Sequence, residues 1–176
     1  MARFIFGEEN HCPSKNAMNW VTAEKGMVDR IASSWLIKNF VDRDAHFEFV
    51  SAEKVRNAAE DLHATPFDID GVELTHYKER GNEYITFDAI LRKYQIKDQA
   101  LHELAKIVRG ADARLSGVTD SAPEARGLEA AAIGYRIMAS ENDHENMLLQ
   151  FPLYDALYRY CQWLLEEGRE VEHSVH

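Results

Sequence analysis

The stretch GVELTHYKERGNEYITFD, residues 71–88, sets a histidine among several carboxylates. Imidazole and carboxylate transfer protons near neutral pH, and together they ligate borderline divalent ions such as manganese, iron and zinc. If residues 72–76 form a strand, Val72, Leu74 and His76 share one face while Glu73 and Thr75 share the other. His76 then points inward, and a bulge near Leu74 or Thr75 is needed before Glu73 and His76 can meet one ligand. A hydrogen-bonded core histidine is the competing account of the same position.

Other candidates are scattered along the chain. Lys25 and Arg30 flank the predicted start of a helix, whose free N–H groups and positive end suit an anion. Asp29 complements that same helix start in the plainer account, with the two cations solvated. Asp112 follows a predicted helix C-terminus, where a negative charge is out of place unless Arg109 or a cation compensates it. His144 falls in the first turn of a helix, where the neutral imidazole, the metal-ligating form, is favoured. Asp88 is a candidate helix cap as well as a candidate site residue. Asp155, one turn into the last helix, faces either the same region or solvent.

Composition limits what these groups can serve. With 176 residues the chain holds one domain and one sizeable core. We place that domain at residues 19–168, between an N-terminal arm over 1–18 and a frayed tail over 169–176. Hydrophobic residues at 45% and charged residues at 28% are those of a folded, water-soluble protein. No run reaches the roughly 20 apolar residues that span a bilayer, and no signal-peptide core precedes the domain, so a cytoplasmic protein without a membrane partner is expected. A net charge of −10 disfavours nucleic-acid binding by this chain alone. The only cysteines, Cys12 and Cys161, have no metal-ligand spacing, whereas 30 Asp plus Glu and eight His supply oxygen and imidazole donors.

The elements that must position these groups follow from periodicity. Residues 19–22 and 46–50 read as strands, with a helix between them carrying Val28, Ile31, Ala32, Trp35, Leu36 and Phe40 at helical spacing. Ser51 caps a helix over 52–62, and TPFDIDG, residues 65–71, is a turn region leading to the His76 strand. Arg80, Gly81 and Asn82 turn the chain so that residues 84–87 pair back, and a helix runs over 88–94. Beyond Lys97 strand alternation ceases. Asp98 caps a helix burying Leu101, Leu104, Ile107, Val108 and Ala111 and ending near Gly110. A box at residues 121–124 opens a helix through Met138, another begins near Asp143, and Pro152 breaks it before a last buried stripe. The fold class is α+β: a small mixed sheet from the N-terminal half packed with a helical C-terminal half.

Five ordered blocks carry a resemblance: WVTAEKGMVDRIASSWLIKNFVD, TPFDIDGVELTH, TFDAIL, IVRGAD, and DHE followed by LYDALY. They resemble the chromate-resistance protein family, of the ChrB type, best known as the C-terminal domain of chromate-responsive regulators. The likeness runs from Trp20 to Trp163. It implies a link to chromate, a divalent oxyanion, without fixing a reaction. It also gathers Asp29, Arg30, Glu73, His76, Asp88, Arg109, Asp112, Asp143, His144, Asp155 and Tyr158 inside the matching blocks. Where the family pattern has Cys-Pro ahead of Trp-Leu-Ile, this chain has Ser33-Ser34, so no thiol mechanism is expected there. Nor is an N-terminal regulator domain expected ahead of Trp20.

These observations lead to a metal-dependent enzyme in which His76, Asp112 and His144 hold a divalent ion. Glu73 is a further ligand or a proton-transfer group. Lys25, Arg30 and Arg109, with Tyr158, are expected to bind a small anionic or oxygenated substrate, Arg30 also acting in catalysis. Asp29, Asp88, Asp143 and Asp155 stand behind them. The alternative is a non-catalytic module that senses an oxyanion through the same three cations. A third reading, pairing with itself as a homo-oligomer or with a DNA-binding subunit, uses the aromatic residues near Tyr154, Tyr158 and Trp163.

Overall fold

The computed structural model describes residues 18–112 and 122–173, the last five of these by backbone alone. The arm with Cys12, the Ser121 start of the predicted box, and His176 lie outside the described residues. Strand β1 (Asn19–Ala23) is the centre of a three-stranded parallel sheet in the order β2-β1-β3, with β2 at His46–Val50 and β3 at Thr65–Pro66. Flanked on both sides, β1 buries Trp20, Val21, Thr22 and Ala23, as a central parallel strand must. Pro66, which has no N–H to give, stands at the edge. After β1 the chain crosses to one edge and then to the other, so the connections leaving β1 and β3 diverge at the carboxyl ends of the strands. In open α/β sheets that divergence forms a crevice.

Helix α1 (Val28–Leu36) buries all its residues except Arg30 and runs into a π-helical turn at Ile37–Val41. The next helix begins as a 3-10 turn at Ala52–Lys54 before α2 (Val55–Asp61), and the Ser51 side chain makes no cap bond. Helix α4 (Gln99–Ala111) is capped as expected, Asp98 accepting from the Ala100 N–H at 2.8 Å. It packs on α5 (Ala125–Met138) and α6 (Asp143–His173). Trp35, Tyr154, Phe67 and Phe87 are fully buried where α1, α3 (Thr86–Lys93) and α6 meet the sheet. Among the described residues no helix is long and apolar enough to cross a membrane.

Three local expectations are corrected. Residues 72–76 are not a strand; the segment bends, with a single bridge between Phe67 and Leu74. Asp68 at φ 53° and Gly71 at φ 76° take left-handed conformations that interrupt an extended run. The hairpin starts one residue after His76, with β4 (Tyr77–Glu79) paired to β5 (Asn82–Tyr84). Its two-residue turn places Arg80 at φ 51° and Gly81 at φ 84°, the primed geometry that matches strand twist. Helix α3 consequently begins at Thr86, and Asp88 lies inside its first turn, accepting from the Ile85 N–H at 3.2 Å. Finally, α6 passes through Pro152 unbroken. Leu148, whose carbonyl loses its usual donor there, lies on the exposed side of the helix, as does Pro152, where water can replace the missing bond.

Asp98 also accepts from the Tyr158 hydroxyl at 2.5 Å. Asp98→Ala should therefore lower unfolding stability by about 2 kcal/mol, one part cap and one part hydrogen bond. Tyr158→Phe should cost about 1 kcal/mol. In urea unfolding the two substitutions should couple, the double variant being no less stable than Asp98→Ala. Simple additivity would refute the shared bond.

Candidate metal centre

The crevice at the ends of β1 and β3 holds a cluster of His and carboxylate side chains, Asp29, Asp68 and His76. Asp29, in the first turn of α1, is buried and turned toward the start of α3, accepting from the Thr86 N–H at 2.9 Å and the Phe87 N–H at 3.1 Å. The open N–H groups of a helix start are a natural seat for a carboxylate. Ser33 Oγ donates to Asp29 as well, at 3.2 Å, and His76 Nε2 lies 3.0 Å from Asp29 Oδ2. Burial works to raise the Asp29 pKa. The hydrogen bond and charge of His76, joined by the Thr86 and Phe87 N–H groups, outweigh it and hold the carboxyl below the usual range.

Asp68 comes from the turn after β3 and is equally buried. It accepts from Thr86 Oγ1 at 2.8 Å and pairs with Arg30 Nε at 2.9 Å. The rest of the Arg30 guanidinium donates to backbone carbonyls, to Asp68 at 3.0 Å and Glu24 at 3.2 Å. Asp112, the C-cap of α4, completes the cluster with Oδ2 at 3.4 Å from His76 Nε2, and Asp68 Oδ1 lies 3.6 Å from the same nitrogen. One ring nitrogen thus faces three carboxylates, though it can donate only one hydrogen. Ligand atoms of Asp29, Asp68 and His76 all lie within 4.8 Å of one another, a spacing that can surround a single ion. Oxygen and imidazole donors of this kind suit manganese, iron or zinc.

A second layer fixes these donors. Asp88 pairs with Arg109 at 2.8 Å; burial raises its pKa and the charge of Arg109 opposes the rise. The Arg109 guanidinium lies 5.3 Å over the ring of Tyr84, which stacks on Tyr77 at 4.9 Å, and Arg92 lies 5.3 Å over Tyr77. This pile of rings and cations ties the hairpin beginning next to His76 to α3, which holds Asp29, and to α4, which ends in Asp112. Beside the cluster opens a cavity of about 330 Å³. Asp29, Asp68 and Asp112 line it together with Lys25, Arg30 and Glu129.

Of the four expected ligands, the structure brings together His76 and Asp112 and sets the other two apart. Glu73 is exposed and pairs with Lys93 at 2.5 Å, and His144 is exposed with its ring edge-on to Phe49 at 5.1 Å. Arg109 is engaged by Asp88 and Tyr84 and does not line the cavity. Asp143 accepts from the Lys25 and Gly26 N–H groups, both at 2.8 Å, and from Arg136 at 2.6 Å, so a protein carboxylate fills the loop that was expected to receive an anion. Asp155 accepts from Trp35 Nε1 at 2.8 Å. The Tyr158 hydroxyl is bound to Asp98, and burial together with that carboxylate pushes its pKa up to about 12. Sequence reasoning missed Asp68, Thr86 and Glu129. Asp68 had a usable signal, since it is an acidic residue directly after the third strand of a β-α-β-α-β unit, where the crevice forms.

Comparison with known proteins follows the same boundaries. The family described as "ChrB, C-terminal domain" matches residues 20–161. Protein ChrB of Cupriavidus metallidurans is 34% identical over 125 residues, which make up 70% of this chain and 35% of that protein. The chain therefore spans about a third of the length of this curated relative. No solved structure matches. The family match covers the sheet, the hairpin and the helices that meet at the cluster, and on that ground this chain belongs to the ChrB chromate-resistance family, within its C-terminal domain.

Proposed function

We propose that this chain is a metal-dependent enzyme of the chromate-resistance family, holding one divalent ion between Asp29, Asp68, His76 and Asp112. The observation that carries the reading is the convergence of three carboxylates on His76 Nε2, at 3.0, 3.4 and 3.6 Å, beside a cavity large enough for a small molecule. Bound there, manganese, iron or zinc supplies a Lewis acid that polarises an oxygen of the substrate. Arg30 pairs with Asp68 and donates to two carbonyls, and it also lines the cavity, where its remaining N–H groups face the substrate. Lys25, exposed at the cavity, meets negative charge on the substrate. Glu129 is the lining carboxylate outside the cluster and takes the proton-transfer role assigned from sequence to Glu73.

The oxyanion-sensing alternative relies on Lys25, Arg30 and Arg109. Two of those three are committed to Asp68 and Asp88, and the cavity is lined by more carboxylates than cations, which favours the metal reading. Titration of metal-free protein with chromate and sulfate separates the two. Tight oxyanion binding without metal would replace the enzyme with a sensor.

Untagged protein should take up about one equivalent of manganese, iron or zinc per chain, as measured by elemental analysis after equilibrium dialysis. His76→Ala and Asp112→Asn should each weaken uptake by roughly tenfold or more, as loss of a donor does. His144→Ala and Glu73→Gln should bind as the parent does. Saturation at about 100 times Kd should add ~2.7 kcal/mol of stability and raise Tm accordingly. Full metal content in His76→Ala would sink the assignment.

The ring and cation pile gives a separate expectation. Tyr84→Phe keeps the stack and should leave metal affinity within about twofold, whereas Tyr84→Ala should weaken it about tenfold, in the range of lost outer-shell support. Equal affinities for the two variants, measured well below their melting temperatures, would remove the positioning role.

A further inference from the structure

The cavity beside the carboxylates has apolar as well as charged lining. Asp29 and Asp68 are each 2% exposed, while Met27 and Ile133 are 42% and 45% exposed. Val28 and Ala111, both buried, line the wall with them. Three helices contribute this apolar surface, α1 through Val28 and the N-cap Met27 before it, α4 through Ala111 and α5 through Ile133. Met27 and Ile133 are large apolar side chains of the lining left partly in water, available to an apolar ligand body.

A tetrahedral oxyanion has no apolar surface to set against such a wall. The cavity lining carries four carboxylates, Asp29, Asp68, Asp112 and Glu129, against the two cations Lys25 and Arg30. The volume of about 330 Å³ falls at the lower end of cavities that take small organic ligands, roughly 300–1,000 Å³. We infer that the site takes an organic molecule with an oxygen-bearing anionic head directed at the cluster and a short apolar body lying between Met27 and Ile133. This rests on the metal reading, since the bound ion is what makes an anionic head welcome among carboxylates. Lys25 and Arg30 line the cavity beside Glu129 and favour an anionic head, and the apolar wall sets the body.

The test is an affinity series. Zinc-loaded protein, whose spectra stay sharp because the ion is diamagnetic, is titrated by NMR with straight-chain carboxylates from acetate to hexanoate and, separately, with sulfate and chromate. Affinity should rise about threefold per methylene, as burial of each group against an apolar wall requires. Ile133→Ser and Met27→Ser, both partly exposed, should cut that slope to under about 1.5-fold. A flat series in the parent protein, or chromate binding more tightly than hexanoate, overturns the inference. If the protein takes up no zinc, the metal reading fails on its own, and the wall is tested in metal-free protein with the n-alkylammonium series, whose heads pair with the carboxylates directly. A slope there upholds the apolar body, and a flat line removes it.

Discussion

The buried carboxylate of Asp29 is the point on which the centre depends. It is fixed to α1 by the chain, to α3 by two N–H donors, and to the hairpin by His76. Each tie answers a separate demand. A buried charge requires hydrogen bonds, a helix start has N–H groups to satisfy, and a histidine placed among carboxylates requires an acceptor. One side chain meets all three, and the geometry of the cluster follows from where α1 and α3 must pack to cover the sheet. The same economy brings in Asp68, which satisfies the Thr86 hydroxyl and fixes the Arg30 guanidinium.

The legible parts of this fold were those ruled by local periodicity. β2 was readable at its observed limits because its residues alternate, and α4 was readable from Asp98 through its buried apolar stripe. The site was legible where a charge was locally out of place. Asp112 sits at a helix C-terminus, where a negative charge is disfavoured, and Arg109, one turn earlier, pairs with Asp88. Illegible were features decided by tertiary contacts. The bend at residues 72–76 depends on left-handed Asp68 and Gly71, and neither the alternation of Val72, Leu74 and His76 nor the face of Glu73 could be read correctly without it. His144 has the local setting of a ligand, yet the path of α6 places it against Phe49. Pro152 signals a break by any local rule, and the long α6 tolerates it because the affected turn faces water.

Charge balance connects the acidity of the chain to the chemistry of its centre. A protein with formal charge −10 that also gathers Asp29, Asp68 and Asp112 in one recess concentrates negative potential where a cation would enter. Three arginines pair with carboxylates in and around the site: Arg30 with Asp68, Arg109 with Asp88, Arg136 with Asp143. Each pair supports the scaffold, and Arg30 lines the recess with Lys25, so cations stand among its carboxylates.

The loop between β1 and α1 has one more property. Its backbone is held by side chains more than a hundred residues later: Asp143 on Lys25 and Gly26, Asn146 on the Gly26 carbonyl, and Tyr154 on the Val28 carbonyl. Contacts of such long sequence separation close late, after the entropy of a large loop has been spent. During synthesis the first strand and helix emerge well before α6 exists to clasp them. The β1–α1 loop is therefore clasped in full only once α6 is in place, and a nascent chain carries Asp29 and His76 before that clasp exists.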